Sequence, residues 1–200
     1  MRAARTAWAF VSIALLGCAT PAPQSAQETE GRSVGLVNPG FESVPLTLAG
    51  HPQGWVPIQH ASVDSYAFAL DDAVHRSGAK SLRITNIVPE AYGSIIQKLT
   101  DSAVRGRTVR FSGWLRTQDV TGNGFGGGAV LLVQAMRSGS PIAHDHMRAG
   151  AVKGTTDWQR HAVTLAVPAD ADNVEIGAML FGGGTLWFDD ARLEIVAPVR

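Results

Sequence analysis

From Val34 onward alternation of apolar and polar residues by two appears repeatedly, and no window sustains a 3.6-residue apolar repeat. Ser81–Thr85 alternates, and so does the segment from Ser94 to Leu99. In 108–116, Val109, Phe111 and Leu115 share one face while Arg110, Ser112, Trp114 and Arg116 share the other. Gly128 to Met136 is a longer apolar run, more like a strand covered on both sides. Further strands are predicted at 159–167, 173–180 and 185–196, with turn-forming Gly, Pro, Asp and Asn at 168–173 and 182–184. One short helix is a candidate at Tyr66–Val74. About eight short strands with such turns predict an all-β domain, a two-sheet β-sandwich or jelly roll.

The N-terminal end reads differently. Arg2 and Arg5 precede about ten apolar residues, Ala7 to Leu16, which is half the length of a membrane-spanning helix and suits a signal peptide. Leu15-Leu16-Gly17-Cys18-Ala19 resembles a bacterial lipobox, which implies cleavage after residue 17 and lipidation of Cys18 by acyl chains such as palmitate. The alternative is an ordinary secretory leader with an incidental cysteine. Residues 18–33 are polar and proline-bearing, the composition of a flexible tether, and the domain is expected over 34–198. The lipoprotein resemblance implies a cell-envelope location anchored in the membrane, in the outer rather than the inner one because Ala19 is not aspartate.

Composition narrows the function. The 200 residues carry 17 basic and 17 acidic side chains, and losing the leader leaves a slightly acidic mature chain. No basic run marks a nucleic-acid face, so no nucleic-acid partner is expected. Cys18 is the single cysteine, which excludes an internal disulfide.

Val37-Asn38-Pro39-Gly40-Phe41-Glu42, Gly54-Trp55, the stretch Arg76-Ser77-Gly78-Ala79-Lys80-Ser81-Leu82-Arg83-Ile84, Phe111–Arg116, Thr156–Arg160 and Leu186–Leu193 occur in the order found in carbohydrate-binding modules. Over 34–196 the chain resembles these galactose-binding-like jelly rolls. The resemblance implies a structural Ca²⁺ held by Glu42 and by Asp189 or Asp190, with a carbonyl from Lys80. Remote hard oxygens suit that ion. The alternative is that Asp189 and Asp190 cap the final strand or pair with arginines. The resemblance also makes Trp55 and Trp158 structural, and Trp187 is read as core.

Trp114 shares its face with hydrogen-bonding groups, so it is either a sugar-stacking platform with Arg116 or another packing aromatic. Gln134 and Tyr92 join it if their strands lie beside it. His144 and His146 could take Zn²⁺ or Cu²⁺ with a third ligand, or serve as loop donors. Phe125-Gly126-Gly127-Gly128 and Phe181-Gly182-Gly183-Gly184 repeat one pattern without the residues of a phosphate loop, so they read as tight connections that form a mouth if they share a rim. No nucleophile elbow or metalloprotease motif is present, and no catalytic domain is expected after the last strand. The expected function is therefore a lipid-anchored, non-catalytic module for carbohydrate or glycan. The alternatives are an envelope lipoprotein that holds a protein partner through the same fold, and a small metal enzyme built on His144 and His146.

Overall fold

A computed structural model describes residues 31–43, 51–61, 64–124, 127–147 and 150–197. The leader, Cys18 and the tether up to residue 30 lie outside these described residues. Two antiparallel sheets face each other, which is the β-sandwich that the alternation predicts. One sheet runs β3 (Tyr66–Asp71), β4 (Ser81–Asn86), β11 (Gly183–Val196), β6 (Thr108–Gly122) and β9 (Gly154–Ala166), and β1 (Arg32–Val34) pairs with β11. β1 thus begins two residues inside the expected tether. The second sheet runs β2 (Val56–Gln59), β5 (Tyr92–Leu99), β10 (Asn173–Phe181), β7 (Ala129–Arg137) and β8 (Ser140–Asp145).

Two elements differ from expectation. Tyr66–Val74 is not helical: Tyr66–Asp71 is β3, paired with β4 from Tyr66↔Asn86 to Asp71↔Ser81. Tyr66, Phe68 and Leu70 alternate with Ala67 and Ala69, and pairing overrides the helix preference of the two alanines. The histidine segment is not a free loop either. Ser138 and Gly139, with φ of 50° and 80°, form a tight turn that pairs Arg137 with Ser140 and lays β8 along β7.

The core between the sheets is an aromatic cluster. Phe188 of β11 meets Phe41 at 5.4 Å, Trp55 at 5.8 Å and Phe111 at 6.2 Å, measured between ring centroids. All four rings are almost fully buried. Trp55 is structural, as its position implied, and its indole N–H donates to the carbonyls of Val37 and Asn38. Gln97, buried on β5, accepts from the Val37 N–H and donates to its carbonyl, so the entering chain is fixed to both sheets.

His161 of β9 lies opposite Gly113, and its Nε2 is buried without a hydrogen-bond partner. Burial lowers its pKa, because a charged ring there would lose its water. The unfolded chain takes up a proton as pH falls through about 6.5, and the folded chain resists. Stability from this site is therefore complete above that pH and is lost as the solution is acidified. His161→Leu should flatten the fall in melting temperature between pH 7.5 and pH 5. Parallel curves for the parent and the variant would show that His161 is not the group responsible.

Candidate functional site

Alternation sends every second side chain of the second sheet away from the core, and register lines them up in rows. Lys98, Glu175, Gln134 and His144 form one row across β5, β10, β7 and β8. The next holds Val56, Ile96, Gly177 and Leu132, and the third Ile58, Ser94, Met179 and Val130. Tyr92 and Phe181 pair in the last. The middle rows form the floor of a groove of about 260 Å³, with Tyr92 and Phe181 at one end and Gln134 and His146 lining it from β7 and the end of β8.

The floor is apolar, of Ile96, Leu132 and Met179, and Gly177 leaves it bare at its centre. A Cβ there would stand 1.9 Å from the Ile95 carbonyl oxygen, so only glycine allows this approach of strands. At one end the Tyr92 and Phe181 rings pack edge-on, 5.9 Å apart, and His60 packs on Tyr92 at 5.5 Å. His60 Nδ1 lies 2.7 Å from a Glu90 carboxylate oxygen, and that carboxylate also accepts from the Ala91 N–H. At the other end the Gln134 amide donates to Glu175 at 2.6 Å. One amide N–H and the amide oxygen of Gln134 remain for a ligand.

The four residues expected to bind ligand separate. Tyr92 and Gln134 line the groove, whereas Trp114 and Arg116 lie on β6 in the other sheet. The indole of Trp114 is covered by the Arg76 guanidinium, 4.3 Å from the ring centroid, on a face that a pyranose would take. Trp187 is buried as expected, but on the outside of its sheet. Its N–H donates to Asp71 at 2.9 Å, and Arg116 lies over its ring. Burial works against the Asp71 charge, but bonds from Trp187, Ala73 and Val74 and the nearby Arg83 outweigh it and hold the carboxyl below its usual range. Phe181, Met179, Leu132 and Ile96 were not foreseen as lining. A strand apolar on both faces reads as doubly covered, and only pairing shows which residues meet in a groove.

His144 and His146 come together, with ring centroids 4.9 Å apart. Among the described residues no third metal-ligating side chain joins them. Their position ties them to the groove: His144 faces Gln134 across β7 and β8, and His146 lines the wall. The two glycine-rich stretches approach each other as backbone, since the Phe181 N–H donates to the Gly128 carbonyl at 3.0 Å, and beside them Gly122 bridges Gly182. Phe125 and Gly126 lie outside the described residues.

Glu42, Lys80, Asp189 and Asp190 do converge, at the turn 76–80. Glu42 accepts from the N–H groups of Ala79 and Lys80. Asp189, fully buried, accepts from Arg76, Ser77 and Asp190 N–H, and Asp190 accepts from the Ser77 hydroxyl. Burial raises the Asp189 pKa against the pull of those N–H groups. This donor set does not fit the expected Ca²⁺. A cation of that type needs six to eight oxygens, and here the turn offers N–H dipoles, Lys80 included, where carbonyls were expected. The carboxylates act instead as anions in a nest, and Gly78 is required there because a Cβ would lie 2.2 Å from Glu42 Oε1. Adding chelator or Ca²⁺ should leave the melting temperature unchanged. Glu42→Ala should lower it by about 3 °C, for roughly 1 kcal/mol of lost hydrogen bonding. Chelator-sensitive unfolding would restore the metal.

Comparison with known proteins places this architecture. The chain is similar to the CBM22-1 xylan-binding domain of Paenibacillus barcinonensis Xyn10C, at 16% identity over 80% of this chain and 93% of that one, with a TM-score of 0.55. It is similar also to TmCBM61, solved with β-1,4-galactotriose, at 13% identity over 84% and 100% of the chains and a TM-score of 0.51. The fold is that of a carbohydrate-binding-module sandwich.

The same sandwich carries a cyclase from Fischerella sp. TAU, at 16% identity over 86% of this chain and 100% of that one, with a TM-score of 0.55. In sequence the chain is 23% identical over 148 residues to a Bacillus subtilis (strain 168) protein described as the uncharacterized HTH-type transcriptional regulator YbfP. That match takes in 72% of this chain and spans about half, 48%, of the relative's length. No protein-family profile matches the chain.

Proposed function

We propose that the chain is a non-catalytic glycan-binding module and that its site is the groove of the five-stranded sheet. One observation carries this reading. The groove joins an aromatic end, Tyr92 with Phe181, to a hydrogen-bonding end, Gln134 held by Glu175. A sugar ring has the same division, an apolar face and a hydroxyl edge. Neither Lys nor Arg nor a carboxylate lines the groove among the described residues, and in the row at its polar end Lys98 stands opposite Glu175. The ligand is therefore a neutral saccharide. The sandwiches of the xylan-binding domain and of TmCBM61 support this reading at the level of fold.

The leader supplies the second half of the proposal. Lipidation at Cys18 would tether the module to the cell envelope, in the outer membrane, with residues 19–31 as spacer. Each buried methylene of an acyl chain contributes about 0.8 kcal/mol, so more than one chain is needed for stable anchoring.

The apolar floor favours a second reading, a compact apolar ligand in the same groove. A panel of neutral polysaccharides in affinity gels, beside an apolar fluorescent probe, separates the two. Retention by a neutral glycan should weaken about tenfold in Tyr92→Ala and in Gln134→Ala, a loss of about 1.4 kcal/mol each, and should stay unchanged in Trp114→Ala. A folded protein that takes up only the probe would replace the sugar with the apolar ligand.

A further inference from the structure

The outer face of the six-stranded sheet is the reverse of the groove. Register collects on it arginines that are widely spaced along the chain. Arg83, Trp187 and Arg116 form one row across β4, β11 and β6. Trp114 and Arg160 form the next, across β6 and β9, with Arg76 laid over the Trp114 ring. Arg192 pairs opposite Ser112, and Arg110 opposite Glu194, at the far end.

The charges on this face are layered. Asp71, bonded to Arg83, is 8% exposed, and Glu194, bonded to both Arg110 and Arg192, is 1% exposed. The side chains of Arg83 and Arg192 are 44% and 49% exposed. The carboxylates thus lie beneath the guanidinium groups and orient them, with Arg83 and Arg192 half-exposed above and Arg110 largely buried. Arg160 is oriented by its bond to the Ser112 hydroxyl, and Arg76 and Arg116 by the indoles they cover. Three acids stand outside this layer: Asp157, 3.8 Å from Arg116, Asp190, which holds Ser77, and Asp189, opposite Trp114 and bonded to the Arg76 N–H, so Arg76, Arg83, Arg110, Arg116, Arg160 and Arg192 meet five carboxylates. Arginines still outnumber carboxylates on the face, in a chain whose formal net charge is zero.

We propose that this face is a second binding site, for a polysaccharide that bears carboxylate or sulfate groups. Planar forks held in fixed positions match oxyanions bidentately. From Arg110 to Arg116 the array runs six residues, about 20 Å along the strand, and from Arg83 to Arg116 about 10 Å across two strand spacings. That extent suits a chain with charges repeated along it. Thr164, Thr185 and Gln118 lie on the same face and suit hydroxyl groups. A membrane surface is the poorer match. Among the described residues the large exposed aliphatic side chains, Val37, Val56, Ile58, Ile87 and Val88, all lie elsewhere, and Trp114 on this face is covered by Arg76. The site is independent of the groove, which is built on the other sheet.

The test is binding of the full-length chain to heparin and to polygalacturonate, with dextran, duplex DNA and phosphatidylglycerol vesicles as comparison arms. The variant Arg76→Gln/Arg116→Gln/Arg160→Gln should bind both anionic polysaccharides at least tenfold more weakly. Raising NaCl from 50 to 200 mM should weaken the parent in the same direction. Arg105→Gln/Arg137→Gln/Lys153→Gln, an equal change of charge away from the face, should cost less than threefold, and Tyr92→Ala should cost nothing. Melting curves monitor folding, and single Arg76→Gln and Arg160→Gln variants stand in if the triple variant unfolds. Equal losses in the two triple variants would overturn the proposal, as would loss in Tyr92→Ala. Tighter arginine-dependent binding to DNA or to the vesicles would replace the polysaccharide with that partner.

Discussion

Three consecutive residues of β11 hold the molecule's parts in relation: Trp187, Phe188 and Asp189. Phe188 points inward and joins Phe41, Trp55 and Phe111 in the cluster that binds the two sheets together. Trp187 points outward, fixes Asp71 and carries Arg116. Asp189 stands where the pairing of β11 with β6 slips, between Asp189 and Arg192, with Asp190 at φ 51°. That irregularity turns its carboxylate onto the N–H groups of Arg76 and Ser77. The inner core, the outer indole–guanidinium layer and the clasped turn thus depend on one strand whose side chains alternate.

The clasp also joins the two ends of the domain. Glu42 from the entering chain and Asp189 from the closing strand grip the same turn, which leads directly into β4. Arg76, placed by this turn, then covers Trp114. A side chain that looks like a sugar platform is thereby converted into a support for a cation. The groove lies on the opposite sheet, so the two faces differ in chemistry: a partly aromatic trough, and a face of arginines held by carboxylates and indoles.

Much of the fold was legible along the chain because strand alternation is a local signal. β4, β5, β6, β7, β9, β10 and β11 all lie where alternation or a long apolar run puts them. β3 was misread because two alanines carry little side-chain information, and β8 because it is a short edge strand that holds a proline and no apolar alternation. Of the candidate ligand residues, Tyr92 and Gln134 share the groove and Trp114 and Arg116 do not. Membership of a common face was visible within β6 but not between strands.

By itself the sequence determined the architecture of a two-sheet sandwich, the structural place of Trp55 and the alternating faces of β6. These follow from period two and from turn residues, which act over a few neighbours. Only the tertiary structure decided which residues stand side by side. It brought Tyr92 to Phe181, assembled Arg76, Arg83, Arg110, Arg116, Arg160 and Arg192 on one face, and turned the Lys80 N–H toward Glu42 where a carbonyl was expected. Those outcomes depend on strand order and register, and a one-residue slip in register would send every side chain of a strand to the other face.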